Sequence, residues 1–102
     1  MAMFNKLTPA QVERLAILSE ECGEVVQAVG KILRHGYESV DPTFSDPSGD
    51  TRALTNQEML EKECGDVIFA INLLKDDIYQ PAVGRRVMQK AEKIQPYLHH
   101  QS

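Results

Sequence analysis

The chain has 102 residues, 42% of them hydrophobic and 25% charged, the composition of an ordinary globular domain that is short for a large private core. Its formal net charge of −4 argues against a general nucleic-acid surface, although it leaves room for a nucleotide whose phosphates arrive with a divalent cation. No apolar run is long enough to span a bilayer, and no signal peptide is predicted. Aromatic residues make up 6% and Trp is absent, which predicts an aliphatic, helix-packed interior. Cys22 and Cys64 sit at the same phase of two helical patterns, without CxxC or Cys/His spacing. They are expected to be reduced, core-facing thiols of a cytoplasmic protein and not a disulfide framework or metal ligands.

The first element has a marked start. Thr8-Pro9-Ala10-Gln11 offers a capping box with Pro at the first helical position. Leu15, Leu18, Cys22, Val25, Val29 and Ile32 then recur in steps of three and four, and Gly36 after Arg34-His35 supplies a stop. This predicts a helix from about Pro9 to His35. The stretch from Tyr37 to Leu54 carries Pro42, Pro47 and Gly49 with no sustained period, and is expected to be a flexible loop, about residues 37–54, or a lid.

Thr55-Asn56-Gln57-Glu58 gives a second capping box. The seam that follows is Leu60, Cys64, Val67, Ile71, Leu74 and Ile78, with Asp76-Asp77 and Pro81 marking its end. A third, shorter helix is predicted from about Ala82 to Tyr97. It carries Arg85, Arg86, Lys90 and Lys93 beside Val83, Val87, Ala91 and Ile94, and Pro96 should disturb its last turn. Nothing alternates apolar and polar over a convincing length, so no strand is expected. The expected architecture is one all-α domain over residues 1–102. An antiparallel helical hairpin and a shorter third helix form a four-helix-bundle core completed by homo-oligomerisation, because the apolar faces exceed what three helices cover within one chain.

The two long patterns are also copies of each other. Shifted by forty-two positions, Leu18, Glu21, Cys22, Gly23, Val25 and Ala28 fall on Leu60, Glu63, Cys64, Gly65, Val67 and Ala70, and Glu24 falls on Asp66. Each copy puts two carboxylates three residues apart, on one helix face about a turn apart. Acidic clusters on helices are commonly solvated, and like charges at i,i+4 cost only about 0.2–0.5 kcal/mol when exposed. Helical phase separates these from that case. Glu21 and Glu24 lie on the flank of the seam between Ile17 and Ala28, while Met59 and Ala70 bracket Glu63 and Asp66 in the same way. Glu20 is nearly opposite the seam.

Carboxylates partly withdrawn from water need cations or protons. Lys31, Lys62, Arg85, Arg86, Lys90 and Lys93 are available for that role. Two acidic pairs brought face to face instead form a hard, all-oxygen site suited to Mg²⁺ or Mn²⁺. Di-iron chemistry would call for Glu-x-x-His motifs, which are missing, and Asp41 to Asp50 does not follow the EF-hand pattern. Gly23 and Gly65, costly inside helices by about 0.8–1.0 kcal/mol each relative to Ala, are expected to admit a neighbouring backbone or side chain beside the acidic pairs.

Glu20-Glu21-x-x-Glu24 followed by Glu63-x-x-Asp66, each in an aliphatic helix, resembles the signature of the all-α nucleoside triphosphate pyrophosphatases, the MazG-like proteins. The resemblance covers about residues 9 to 78. It implies Mg²⁺-dependent hydrolysis of a (deoxy)nucleoside triphosphate between the α and β phosphates, in a homodimer or homotetramer. By that resemblance Glu21, Glu24, Glu63 and Asp66 hold the metal, and Glu20 is a further ligand or positions the attacking water. Lys31, Lys90 and Lys93 are candidates to contact the outgoing pyrophosphate, against the plain reading that they are solvated surface. No partner among membranes or nucleic-acid polymers is expected. The competing expectation is a non-catalytic helical dimer, acting as a regulatory or nucleotide-binding module.

Overall fold

The computed structural model describes residues 4–40 and 53–101. Three α-helices follow in order: α1 (Pro9–His35), α2 (Asn56–Leu73) and α3 (Gln80–Lys93), with a 3-10 turn at Gln95–Tyr97. Both predicted capping boxes form. The Thr8 hydroxyl accepts from the Gln11 N–H at 3.1 Å, and the Gln11 side chain accepts from the Thr8 N–H at 2.9 Å. Thr55 and Glu58 repeat this reciprocal pair at 3.1 and 3.0 Å. Each box satisfies two N–H groups that a helix start leaves without intrahelical partners. Gly36 closes α1 with φ of 86°, a backbone conformation that a side chain would strain.

The helices α1 and α2 pack as an antiparallel hairpin that is tied at both ends. At the closed end, the Asn56 side chain donates to the Gly36 carbonyl at 3.0 Å, while the Asn56 and Gln57 N–H groups donate to Ser39 and Tyr37 carbonyls. An isolated antiparallel bridge joins Val40 to Thr55. At the open end, Arg14 forms an ion pair with Asp77. Of the predicted 37–54 loop, residues 41–52 lie outside the described residues.

The helical phase of the contact departs from expectation. The periodic seam is the predicted core, yet the buried side chains of the hairpin contact are Ala28, Ala70 and Glu63 on its flank, joined from the seam by Leu74. Leu18, Val25 and Ile32 are half-buried at the edge of the contact, whereas Leu15, Val26, Val29 and Ile68 are exposed. The reason is size. Alanines on the flank let two helices approach closely, while the bulkier seam residues line the outside of the cleft. Cys22 and Cys64 are exposed, contrary to the core-facing expectation, and border an open apolar groove with Val25, Val67 and Ile68.

Gly23 and Gly65 also correct the sequence reading. A Cβ at either position meets nothing within 4 Å, because both point away from the interhelical contact. Two boundaries differ as well. The α2 helix ends at Leu73, and the apolar period continues through a turn in which the Asp77 and Ile78 N–H groups donate to the Leu74 carbonyl. Pro81 lies in the first turn of α3, which therefore begins before Ala82, and the helix gives way to the 3-10 turn around Pro96.

Among the described residues, α3 packs against neither α1 nor α2. Val83, Val87 and Met88 are exposed on it, and the radius of gyration is 17.4 Å, against about 13 Å for a compact chain of this length. No described helix is long and apolar enough to cross a membrane.

Candidate metal centre

The flank contact places the two acidic pairs opposite each other at mid-hairpin. One carboxylate oxygen from each of Glu21, Glu24, Glu63 and Asp66 can be chosen so that all lie within 4.8 Å of one another. Glu63, only 6% exposed, is the buried member of the group, and the other three are half-buried. The duplication explains the geometry. Equivalent positions on two antiparallel helices face each other when the helices pack on equivalent flanks.

Two carboxylate oxygens of these residues, Glu21 Oε2 and Glu63 Oε2, are buried without a hydrogen-bond partner. Buried polar atoms are nearly always paired, because leaving a charged one unpaired costs several kcal/mol. The electrostatics record that cost. Burial pushes the Glu63 carboxyl above the usual carboxylate range, and the adjoining Glu24 carboxylate adds to the effect, while Lys62 partly offsets it. A donor set made only of carboxylate oxygens, with two unpaired and all within reach of one point, fits a hard divalent cation.

Lys62 brings a cation against two of these carboxylates. Its Nζ donates to Asp66 Oδ2 at 3.2 Å and to Glu63 Oε1 at 3.5 Å, and these contacts hold the ammonium more basic than usual. A cavity of about 310 Å³ opens beside the cluster, lined by Glu24, Gln27, Lys31, Asn56, Lys62 and Glu63 among others. That is at the lower end of volumes typical for small-molecule sites. Its lining combines carboxylates for a cation with ammonium groups for an anion.

The other predicted site residues are distributed unevenly. Lys31 borders the cavity as expected of a phosphate contact. Glu20 is exposed and outside the four-oxygen group. Lys90 and Lys93 stand on α3, where Lys90 borders that helix's own apolar face with Val83 and Val87, so one chain does not bring them to the acidic cluster. Lys62 is one of the six cations the sequence offers to the acidic pairs, whereas Asn56 is not singled out for the site. The i,i+4 spacing of Lys62 and Asp66 was the available signal for the first, but Asn56 reads only as a helix-start residue until α1 is placed against it.

A family model described as MazG nucleotide pyrophosphohydrolase domain matches residues 11–99, a span that includes both acidic pairs and α3. Neither a curated protein nor a solved structure matches the chain.

Proposed function

Because the chain belongs to the MazG nucleotide pyrophosphohydrolase family, we propose that it hydrolyses a (deoxy)nucleoside triphosphate at the α–β phosphoanhydride, with Glu21, Glu24, Glu63 and Asp66 holding Mg²⁺ or Mn²⁺. The products are the nucleoside monophosphate and pyrophosphate. The observation that carries this reading is the convergence of four carboxylates with two buried oxygens unpaired.

Bound metal supplies charge neutralisation at the phosphate oxygens and a lowered pKa for water. The chain's own residues supply the rest. The hairpin fixes the four carboxylates on two packed helices, so little reorganisation is needed as charge develops. Glu20, exposed and one helical turn before Glu24, would orient the attacking water and take its proton, the role that the family resemblance implies for it. Lys31, at the cavity wall, meets the departing pyrophosphate. Lys90 and Lys93 take part only if another copy brings its α3 to this cavity.

Self-association belongs to the same reading. Ala28, Leu54, Ala70 and Leu74 are the whole buried apolar set among the described residues, while α3 and the outer half of the seam stay open. A homodimer or homotetramer would cover these faces. Size-exclusion chromatography with light scattering tests this, and a well-folded monomer would count against it.

The activity is tested with a panel of canonical and modified dNTPs and NTPs, followed for pyrophosphate release with and without Mg²⁺. Metal-dependent pyrophosphate from at least one substrate is expected. Release of orthophosphate, or no consumption of any triphosphate, would overturn the reading. Nucleotide-dependent thermal stabilisation without product would identify a non-catalytic nucleotide-binding module instead.

A further inference from the structure

Lys62 occupies an unusual place for a lysine. It follows Glu58 and precedes Glu63 on α2, reaches two of the four carboxylates, and also lines the cavity beside them. Its contacts are made loosely. At 3.2 and 3.5 Å they are longer than the roughly 2.7–2.9 Å of a strong charge-assisted hydrogen bond. The pair with Asp66 is i,i+4 with the cation on the N-terminal side, the weaker of the two helical orientations. The side chain is 41% exposed, and its four-carbon stem can turn outward with little loss of packing. Meanwhile Glu63 Oε2 and Glu21 Oε2 gain nothing from it, since both stay unpaired.

We propose that Lys62 is an exchangeable counter-ion of this site, which releases Glu63 and Asp66 to a divalent cation and then turns into the cavity to bind the phosphates of the incoming nucleotide. The proposal rests on the pyrophosphatase reading above and adds a role for a residue outside the metal-ligand set. Coulomb's law supplies the direction. A divalent cation held by Glu63 and Asp66 repels the ammonium that lies against the same two carboxylates, and the ion with twice the charge is held more strongly. The released ammonium borders the same cavity as Lys31, so both cations line the space in which a triphosphate would sit. Metal and nucleotide binding are then coupled: the metal frees the group that the phosphates need.

The test uses the full chain and two titrations. In nucleotide-free protein, Mn²⁺ affinity is read by electron paramagnetic resonance for wild type, Lys62→Met and Lys62→Arg. Removing a competing cation should raise Mn²⁺ affinity in Lys62→Met about three- to tenfold, the range of a partly screened ion pair. Lys62→Arg should stay near wild type. At saturating Mn²⁺, the affinity of Lys62→Met for a non-hydrolysable α,β-methylene triphosphate should fall about tenfold. Unchanged or weaker Mn²⁺ binding in Lys62→Met refutes the counter-ion role. Unchanged analogue affinity refutes the transfer to phosphate. If wild type binds Mn²⁺ and analogue as expected but turns over no triphosphate, the hydrolase reading falls while the role of Lys62 stands. A wild type that takes up no Mn²⁺ sinks both.

Discussion

Arg14 near the start of α1 grips Asp77, just past the end of α2, with Nε donating to Oδ2 at 2.7 Å and a second guanidinium nitrogen donating to Oδ1 at 3.1 Å. This two-pronged pair closes the open end of the hairpin, and Gln11 adds a longer contact to the same carboxylate at 3.5 Å. The guanidinium holds the Asp77 carboxyl below the usual carboxylate range. A depressed folded-state pKa means stability that is present above the unfolded value, about 3.9, and is lost as pH falls through the lower folded value. Asp77→Asn should therefore be less stable than wild type at pH 7, with the gap closing below about pH 4 as Asp77 protonates. Urea melts at a series of pH values check this. A gap that persists into strong acid would assign the effect to packing instead.

Glu63 has the opposite sign. Its pKa is raised, so in the absence of metal the folded protein is penalised for the charge once pH exceeds the ordinary glutamate value of about 4.5. Glu63→Gln removes the charge while nearly keeping the shape. Without metal it should match wild type below about pH 4 and become the more stable protein as pH rises through the raised value, by on the order of 1 kcal/mol. With Mg²⁺ the order should reverse, because wild type alone gains from the cation. Pyrophosphate release should fall at least a hundredfold. Thermal melts across pH with EDTA or Mg²⁺, together with the activity assay, provide the measurement.

Asn56 is buried, and its side chain donates to the Gly36 carbonyl at the closed end, beside the backbone bonds to Ser39 and Tyr37. Asn56→Ala leaves that carbonyl without its partner and should cost about 1–3 kcal/mol. Because Asn56 also lines the cavity, the variant should bind nucleotide more weakly even at temperatures where it is fully folded. Chemical denaturation and an analogue titration separate the two effects.

The two repeated glycines invite a stabilising change. With no atom within 4 Å of the added Cβ, Gly23→Ala and Gly65→Ala should each raise stability by about 0.8–1.0 kcal/mol through helix propensity alone. Loss of stability in either variant would show that another copy of the chain covers that face. Melting curves recorded over a range of protein concentrations distinguish the two cases.

Both N-terminal caps should be sensitive in the ordinary way. Thr8→Ala and Thr55→Ala each remove the hydroxyl half of a reciprocal capping pair and should cost about 0.5–2 kcal/mol. Helical content and urea midpoints measure this, and Ser at either position should restore most of the loss.

Much of the fold is legible in the residues themselves. Thr8, Gln11, Thr55 and Glu58 are local signals whose hydrogen bonds close within four residues, so the helix starts follow without knowledge of the rest of the chain. Gly36 and Pro96 act locally for the same reason. The four carboxylates were legible because they belong to a repeat, and a repeat on antiparallel helices meets its own copy. Lys62 is one of six cations the sequence offers to the carboxylates, and only the folded hairpin shows its ammonium against Glu63 and Asp66. The faces of Cys22, Gly23 and Gly65 were misjudged because periodicity locates an apolar stripe but not the line along which two helices touch. Here that line falls on the alanines, offset from the stripe.

Sequence alone therefore determined the three helices, the capping boxes of the first two, the duplicated acidic device, and the identity of the four carboxylates that converge. These depend on short-range hydrogen bonding and on helical phase, both written into the order of residues. Tertiary structure alone decided that Glu63 is the buried member of the four, that Lys62 of the six available cations reaches it, and that α3 stands clear of the hairpin. Those outcomes depend on which faces approach closely enough to exclude water, a competition among side-chain volumes that no single helix settles by itself.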